Sequence, residues 1–119
     1  MRGMKLRNRL VSIACECARL SLKYSDGPQP LKAIESAEAW LNGDATVDEV
    51  RSAAIKAAHL ACEIGYSAFC ETAYSAYNAA YTVYTADPID SARRAIDSAC
   101  FANREQNLRK CADIVMDRI

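Results

Sequence analysis

The sequence predicts an all-α protein, a compact bundle of five to six helices forming a single domain over residues 1–119. Three observations predict it. Apolar residues recur at steps of three and four through nearly the whole chain. The breaks between these stretches carry helix punctuation: Gly27, Pro28 and Pro30, then Asn42-Gly43, then Asp87-Pro88. No stretch alternates apolar and polar residues as a half-buried strand requires.

The first helix is expected over about residues 4–24, where Leu6, Leu10, Ile13, Cys17, Leu20 and Tyr24 form one apolar stripe. "SDGPQP" stops it, because Gly27 turns the chain and the prolines cannot continue a helix. Pro30 suits the first turn of a second helix, about 30–42, with Leu31, Ile34, Ala37, Trp40 and Leu41 inward and Gly43 as its stop. Thr46 and Glu49 make a capping box for a third helix over about 47–64, whose stripe is Val47, Val50, Ala54, Ala57, Ala61 and Ile64. A helix continuing from 47 to 86 would be about 60 Å long, too long for a compact domain of this size. A break or sharp kink is therefore expected at Gly65, and a fourth helix ends near residue 86. Asp87 caps a fifth helix with Pro88 at its first position and Ile89, Ala92, Ile96 and Ala99 inward. "NREQ", Asn103 to Gln106, offers a capping box for a last helix through Leu108, Cys111, Val115 and Ile119; a continuous join there stays open.

Fifteen basic and fifteen acidic side chains cancel, so no global field draws nucleic acid or an anionic membrane. The charges are placed unevenly. Residues 1–23 carry six basic groups against Glu16 alone, and residues 24–50 carry six acids against Lys32 alone. Either neighbouring helices present complementary faces, or a basic N-terminal patch meets a partner. No apolar run has the length of a membrane span, and the basic start "MRGMKLRNRL" leads into an apolar stretch cut by Glu16 and Arg19. The expected location is cytoplasmic. The six cysteines fall in apolar-periodic stretches and are expected as buried, reduced thiols.

The fourth helix, around "ETAYSAYNAAYTVYTAD", is the most distinctive segment. At about 100° per residue, Tyr66, Cys70, Tyr74, Tyr77, Tyr81 and Tyr84 share an arc of roughly 80°. The next narrow arc holds Ser67, Glu71, Ser75, Asn78, Thr82 and Thr85, and alanines dominate the rest. Small residues let neighbouring helices approach closely, and a polar arc with one charge is unusual in water. A central helix is expected. Its tyrosines either fill the bundle around Trp40, each hydroxyl satisfied at an edge, or line a groove for a partner protein, a second copy or a small molecule.

Reactive chemistry is sparse. His59 is the single histidine; with Cys62 and Glu63 it could present only a weak metal face. Cys15 and Cys17, two apart on a helix, point to nearly opposite sides. The four glycines are isolated at turns, so no phosphate loop exists. Paired acids such as Glu35/Glu38 and Asp48/Glu49 suit helix starts and solvated faces better than general acid–base work. Arg93, Arg94, Arg104, Arg109 and Lys110 are interleaved with Asp97, Glu105 and Asp113 and read as salt-bridged helix surface rather than a nucleic-acid footprint. No enzyme, metal or cofactor is expected.

The run "KAIESAEAWLNGDATVDEVRSAAIKAAHLACE", Lys32 to Glu63, resembles the small all-helical immunity proteins of bacterial polymorphic-toxin systems, which also occur in phages. The shared features are Ala33-Ile34, Ala37, Trp40-Leu41-Asn42-Gly43, Thr46 with Glu49, and the pairs Ala53-Ala54 and Ala57-Ala58. The tail "NREQNLRKCADIVMDRI" is similar to the family's polar final helix, so the likeness covers roughly residues 30–119. It departs in the fourth helix, where tyrosine and threonine stand in place of the family's Ala, Arg and His. The resemblance implies a non-enzymatic protein that binds and neutralises another protein, a toxin. In phages the target would be a bacterial defence complex, in the manner of an anti-CRISPR inhibitor. The contact residues expected are Tyr74, Tyr77, Tyr81 and Tyr84, with Glu35, Glu38, Asp44 and Asp48 as a charged rim. A homo-oligomer seamed along the fourth helix is the structural alternative, and a small-molecule binder the third.

Overall fold

Helix signals in the sequence become six helices among the described residues: α1 Leu6–Leu20, α2 Gln29–Leu41, α3 Val47–Ile64, α4 Ala68–Tyr81, α5 Pro88–Ala102 and α6 Arg104–Arg118. The computed structural model describes residues 5–22, 27–64, 68–102 and 104–118, and their side chains outside 63–70, 101–109 and 118. The fold is an all-α bundle. Gly65 and Asn103, where the two doubtful joins fall, lie outside the described residues, as does Tyr24. Separate helices on either side of each are consistent with the 60 Å argument, since the longest extent of the body is 40 Å.

The caps explain the boundaries. α2 ends in a Schellman motif: Asp44 N–H donates to Ala39 O at 2.8 Å and Gly43 N–H to Trp40 O at 3.1 Å. That turn needs the left-handed backbone that Gly43 supplies at φ +81°. At α3 the capping box is reciprocal, with Glu49 N–H donating to Thr46 Oγ1 at 3.2 Å and Thr46 N–H to Glu49 Oε1 at 3.0 Å. Asp87 Oδ1 accepts from Asp90 N–H at 3.1 Å and caps α5. α4 ends at Tyr81, five residues before the sequence boundary, because the chain tightens there. Val83 N–H donates to Ala80 O and Tyr84 N–H to Tyr81 O, while Arg7 Nη1 reaches across from α1 to the carbonyls of Thr82, Val83 and Thr85 at 3.0, 3.2 and 2.7 Å.

α4 is the hub, packed against α1, α2, α3 and α5, while α6 lies against α1 and α5. The main core joins Val11, Ala14, Cys15 and Ala18 of α1 to Ala33, Ile34 and Ala37 of α2, Val50, Ala54 and Ala57 of α3, Ala76, Ala79 and Ala80 of α4, and Ala92 and Ala95 of α5. A second cluster holds Ile13, Cys17, Ala99 and Cys111 under α6. α1 is therefore buried on two sides, where its spacing predicted one stripe. Val11, Ala14 and Ala18 were missed because the stripe was read from the largest apolar residues, whereas Cys15 is buried as expected of the thiols. Leu6 and Ile89, expected inward, are exposed, at 58% and 59%. Cys15 and Cys17 do face different clusters. Cys111 is also buried and Cys100 half-buried, but Cys62 is exposed and corrects the expectation for that thiol. No described helix is long and apolar enough to cross a membrane.

The polar arc of α4 is a buried seam rather than a wet face. Ser75 Oγ donates to Ala95 O of α5 at 2.6 Å. Ser91 Oγ of α5 donates to Asn78 O at 2.8 Å, and Thr82 Oγ1 lies 2.7 Å from the same carbonyl. On the alanine side, Thr72 Oγ1 donates to Ser21 O beyond α1 at 2.9 Å. Each of these four hydroxyls thus has a carbonyl partner, which is what makes its burial tolerable. The uneven charges also find each other: Arg19 Nε of α1 donates to Glu38 Oε2 of α2 at 2.8 Å.

Candidate partner-binding face

Four tyrosines spaced 3, 4 and 3 apart fall one above another on a helix. In the structure Tyr74, Tyr77 and Tyr81 of α4 and Tyr84 of the following turn form a continuous ladder. Ring centroids are 6.1 Å apart for Tyr74 and Tyr77, 5.5 Å and stacked for Tyr77 and Tyr81, and 5.0 Å edge-to-face for Tyr81 and Tyr84. All four are partly buried. Tyr77 and Tyr84 also pack against the main core, whereas Tyr74 and Tyr81 do not. Two of the four rings therefore join the core packing, and the other two are half-buried beside them.

Each end of the ladder is held by an arginine already paired with a carboxylate. The Arg51 guanidinium of α3 lies 4.9 Å from the Tyr84 ring centroid and bonds Asp48 at 3.1 Å. Arg94 of α5 donates to the Tyr74 hydroxyl at 3.3 Å and to Asp90 at 2.9 Å. Arg93 shares Asp90 and reaches Asp97, so these two arginines serve as salt-bridged surface, as their interleaving implied. Desolvation, reinforced by the neighbouring Tyr77 hydroxyl, pushes Tyr84 up to about 12, the Arg51 charge opposing it. Burial, with help from Tyr81 and Tyr74, raises Tyr77 as well. Both hydroxyls stay protonated at neutral pH.

Between the ladder and the N-terminal half of α5 runs an open cleft of about 340 Å³, lined by Tyr74, Tyr77, Asn78, Tyr81, Asp87 and Arg94 among others. Of the acidic residues singled out from the sequence, Asp48 joins the ladder through Arg51. Glu38 is engaged with Arg19, and Glu35 and Asp44 are exposed on and just beyond α2, with no contact to the tyrosines among the described residues. Arg51, Asn78, Asp87, Asp90 and Arg94 were not singled out as site residues. Asp90 carried a signal, since Arg93 and Arg94 follow it at three and four residues. His59 and Cys62 are both exposed on α3, and among the described residues no group of three or more His, Cys, Asp or Glu side chains converges to hold a metal.

Fold and face together define an all-α bundle that displays an ordered aromatic stripe along its central helix. Its family model is described as "Imm-5 like putative immunity protein" and matches residues 5–111, and the chain belongs to that family. The match reaches from α1 into α6; it extends the resemblance read over roughly residues 30–119 back to residue 5 and ends at residue 111. No curated protein and no solved structure matches it.

Proposed function

We propose that this protein is a non-enzymatic immunity protein of the cytoplasm that binds a partner protein, a toxin, and neutralises it by covering its working surface. The observation that carries this is the ladder itself. Tyrosine supplies large contact area, and rings stacked on one another and held by Arg51 and Arg94 lose little further freedom on binding. Asp48 stands beside the ladder as part of a charged rim, and Glu35, Glu38 and Asp44 extend that rim along α2. A bacterial defence complex as target would use the same face and the same physics.

The test is a tagged pull-down from native-host lysate, read by mass spectrometry and repeated with Tyr81→Ala. Tyr81 is half-buried and lies outside the main core, so its truncation removes two ring contacts and should cost about 1–2 kcal/mol, leaving the bundle folded. Loss of an interface anchor should weaken binding by about 2 kcal/mol, roughly thirtyfold. Tyr77→Ala, which also strips packing from the core, should lose both partner and stability. A stoichiometric partner held equally well by Tyr81→Ala would move the contact surface elsewhere. Recovery of the bait alone as a defined multimer would replace this function with self-assembly.

A further inference from the structure

We infer that the middle of the ladder is an arginine seat: the cleft formed by Tyr81, Asn78 and Asp87 receives an arginine side chain projecting from the partner protein. This rests on the partner-binding reading above and names the chemistry it recognises. The molecule shows the pattern twice within itself. At Tyr84 a guanidinium lies over the ring and is paired with Asp48, and at Tyr74 a guanidinium bonds the hydroxyl and is paired with Asp90. Arg94 lines the cleft and its charge reaches Tyr77, but it is committed to Asp90; Tyr81, stacked on Tyr77, has no guanidinium over its ring or on its hydroxyl among the described residues. Asp87, on the cleft wall, is the matching carboxylate left over. It is exposed, its Oδ1 caps α5, and no lysine or arginine among the described residues pairs with it.

Asn78 points the same way independently. The residue is only 2% exposed, yet it lines the cleft. Its Nδ2 donates to Tyr74 O at 3.0 Å, which fixes the amide orientation, since a carbonyl can only accept. That leaves Oδ1 with no donor among the described residues. Among the described residues the only buried side-chain atom both sealed from solvent and unpartnered is Gln29 Oε1, so Asn78 Oδ1 keeps some contact with solvent, and its residue lines the cleft. The seat therefore offers an amide oxygen, a carboxylate and an aromatic face, all of which attract a donor-rich cation. A planar guanidinium meets all three at once, with several N–H groups for the oxygens and a flat face for the ring. An ammonium cannot stack, and an anion meets Asp87 and Asp90.

The test uses N-acetyl tetra-arginine amide as probe, with the tetralysine and tetraglutamate counterparts, followed by NMR on the intact chain. The Asn78 side-chain amide and Tyr81 ring resonances should shift with the arginine peptide, less with lysine and not with glutamate. Asp87→Asn keeps a capping oxygen for α5 and removes the charge, so it should leave Tm unchanged and weaken the arginine response about tenfold. A response to the glutamate peptide as large as that to arginine overturns the inference, as does an arginine response untouched by Asp87→Asn. The two readings fail separately. A partner lost by Tyr81→Ala but bound at wild-type affinity by Asp87→Asn keeps the tyrosine face and removes the arginine seat. A partner held by Tyr81→Ala removes the face itself.

Discussion

Arg7 is the residue whose replacement tests most directly how the tyrosine helix is held. Its Nη1 stands 2.7 to 3.2 Å from three carbonyls at the end of α4, those of Thr82, Val83 and Thr85. One nitrogen carries two hydrogens, so the three contacts amount to two bonds, one of them shared. A charged donor contributes about 1.5–3 kcal/mol per bond when dry. Arg7 is only partly buried, and water can recover part of that loss, so about 1 kcal/mol per bond is the realistic figure. Arg7→Met keeps the apolar stem and removes the donors, and should cost about 2 kcal/mol. With a urea m-value of about 1.5 kcal/mol/M for a chain of this size, the midpoint falls by roughly 1.3 M. Hydrogen exchange at the Tyr84 and Thr85 amides should accelerate in the same variant, because the turn they close loses its anchor. Arg7→Lys restores the charge without the fork and should recover only part of the loss. A midpoint within about 0.3 M of wild type for Arg7→Met would show that these carbonyls are as well served by water, and the cap argument would fall.

Other consequences follow from the same packing. Because burial raises Tyr77 and Tyr84 above the ordinary tyrosine range, the unfolded chain gives up its protons first as pH rises. Their contribution to stability is complete below about pH 10 and is lost at higher pH, for Tyr84 as pH climbs toward its folded value of about 12. Urea midpoints taken across that window should fall less steeply in Tyr84→Phe than in wild type, and an identical slope would place Tyr84 in free solvent. Ala76, fully buried on the face of α4 that meets its neighbours, leaves no room for a larger side chain. Ala76→Leu should lose about 1–3 kcal/mol, read as a lower Tm; an unchanged Tm would mean the alanines do not set the helix spacing.

Most of the fold was legible because it is encoded locally. Pro88 after Asp87, Thr46 before Glu49 and Gly43 after Asn42 act on backbone groups a few residues away, so their meaning survives without knowledge of the neighbours. The tyrosine ladder was legible for the same reason, since spacings of three and four on one helix place rings in contact whatever lies opposite. The α4 terminus was not, because an arginine 75 residues earlier helps set it. Nor was the second buried side of α1, because Val11, Ala14 and Ala18 became core only when α2, α4 and α5 closed around them.

The sequence by itself determined five to six helical segments, the punctuation at the ends of α2, α3 and α5, and an aromatic arc on the central one. Tertiary structure alone decided that Tyr77 and Tyr84 pack against the main core, and that Arg51 and Arg94 brace the two ends of the ladder. It also turned the polar arc of α4 into a seam with α5. The physical reason is range. Caps and same-helix stacking are contacts within one turn of chain, whereas burial, braces and unmet hydrogen-bond capacity exist only between helices that the sequence places far apart.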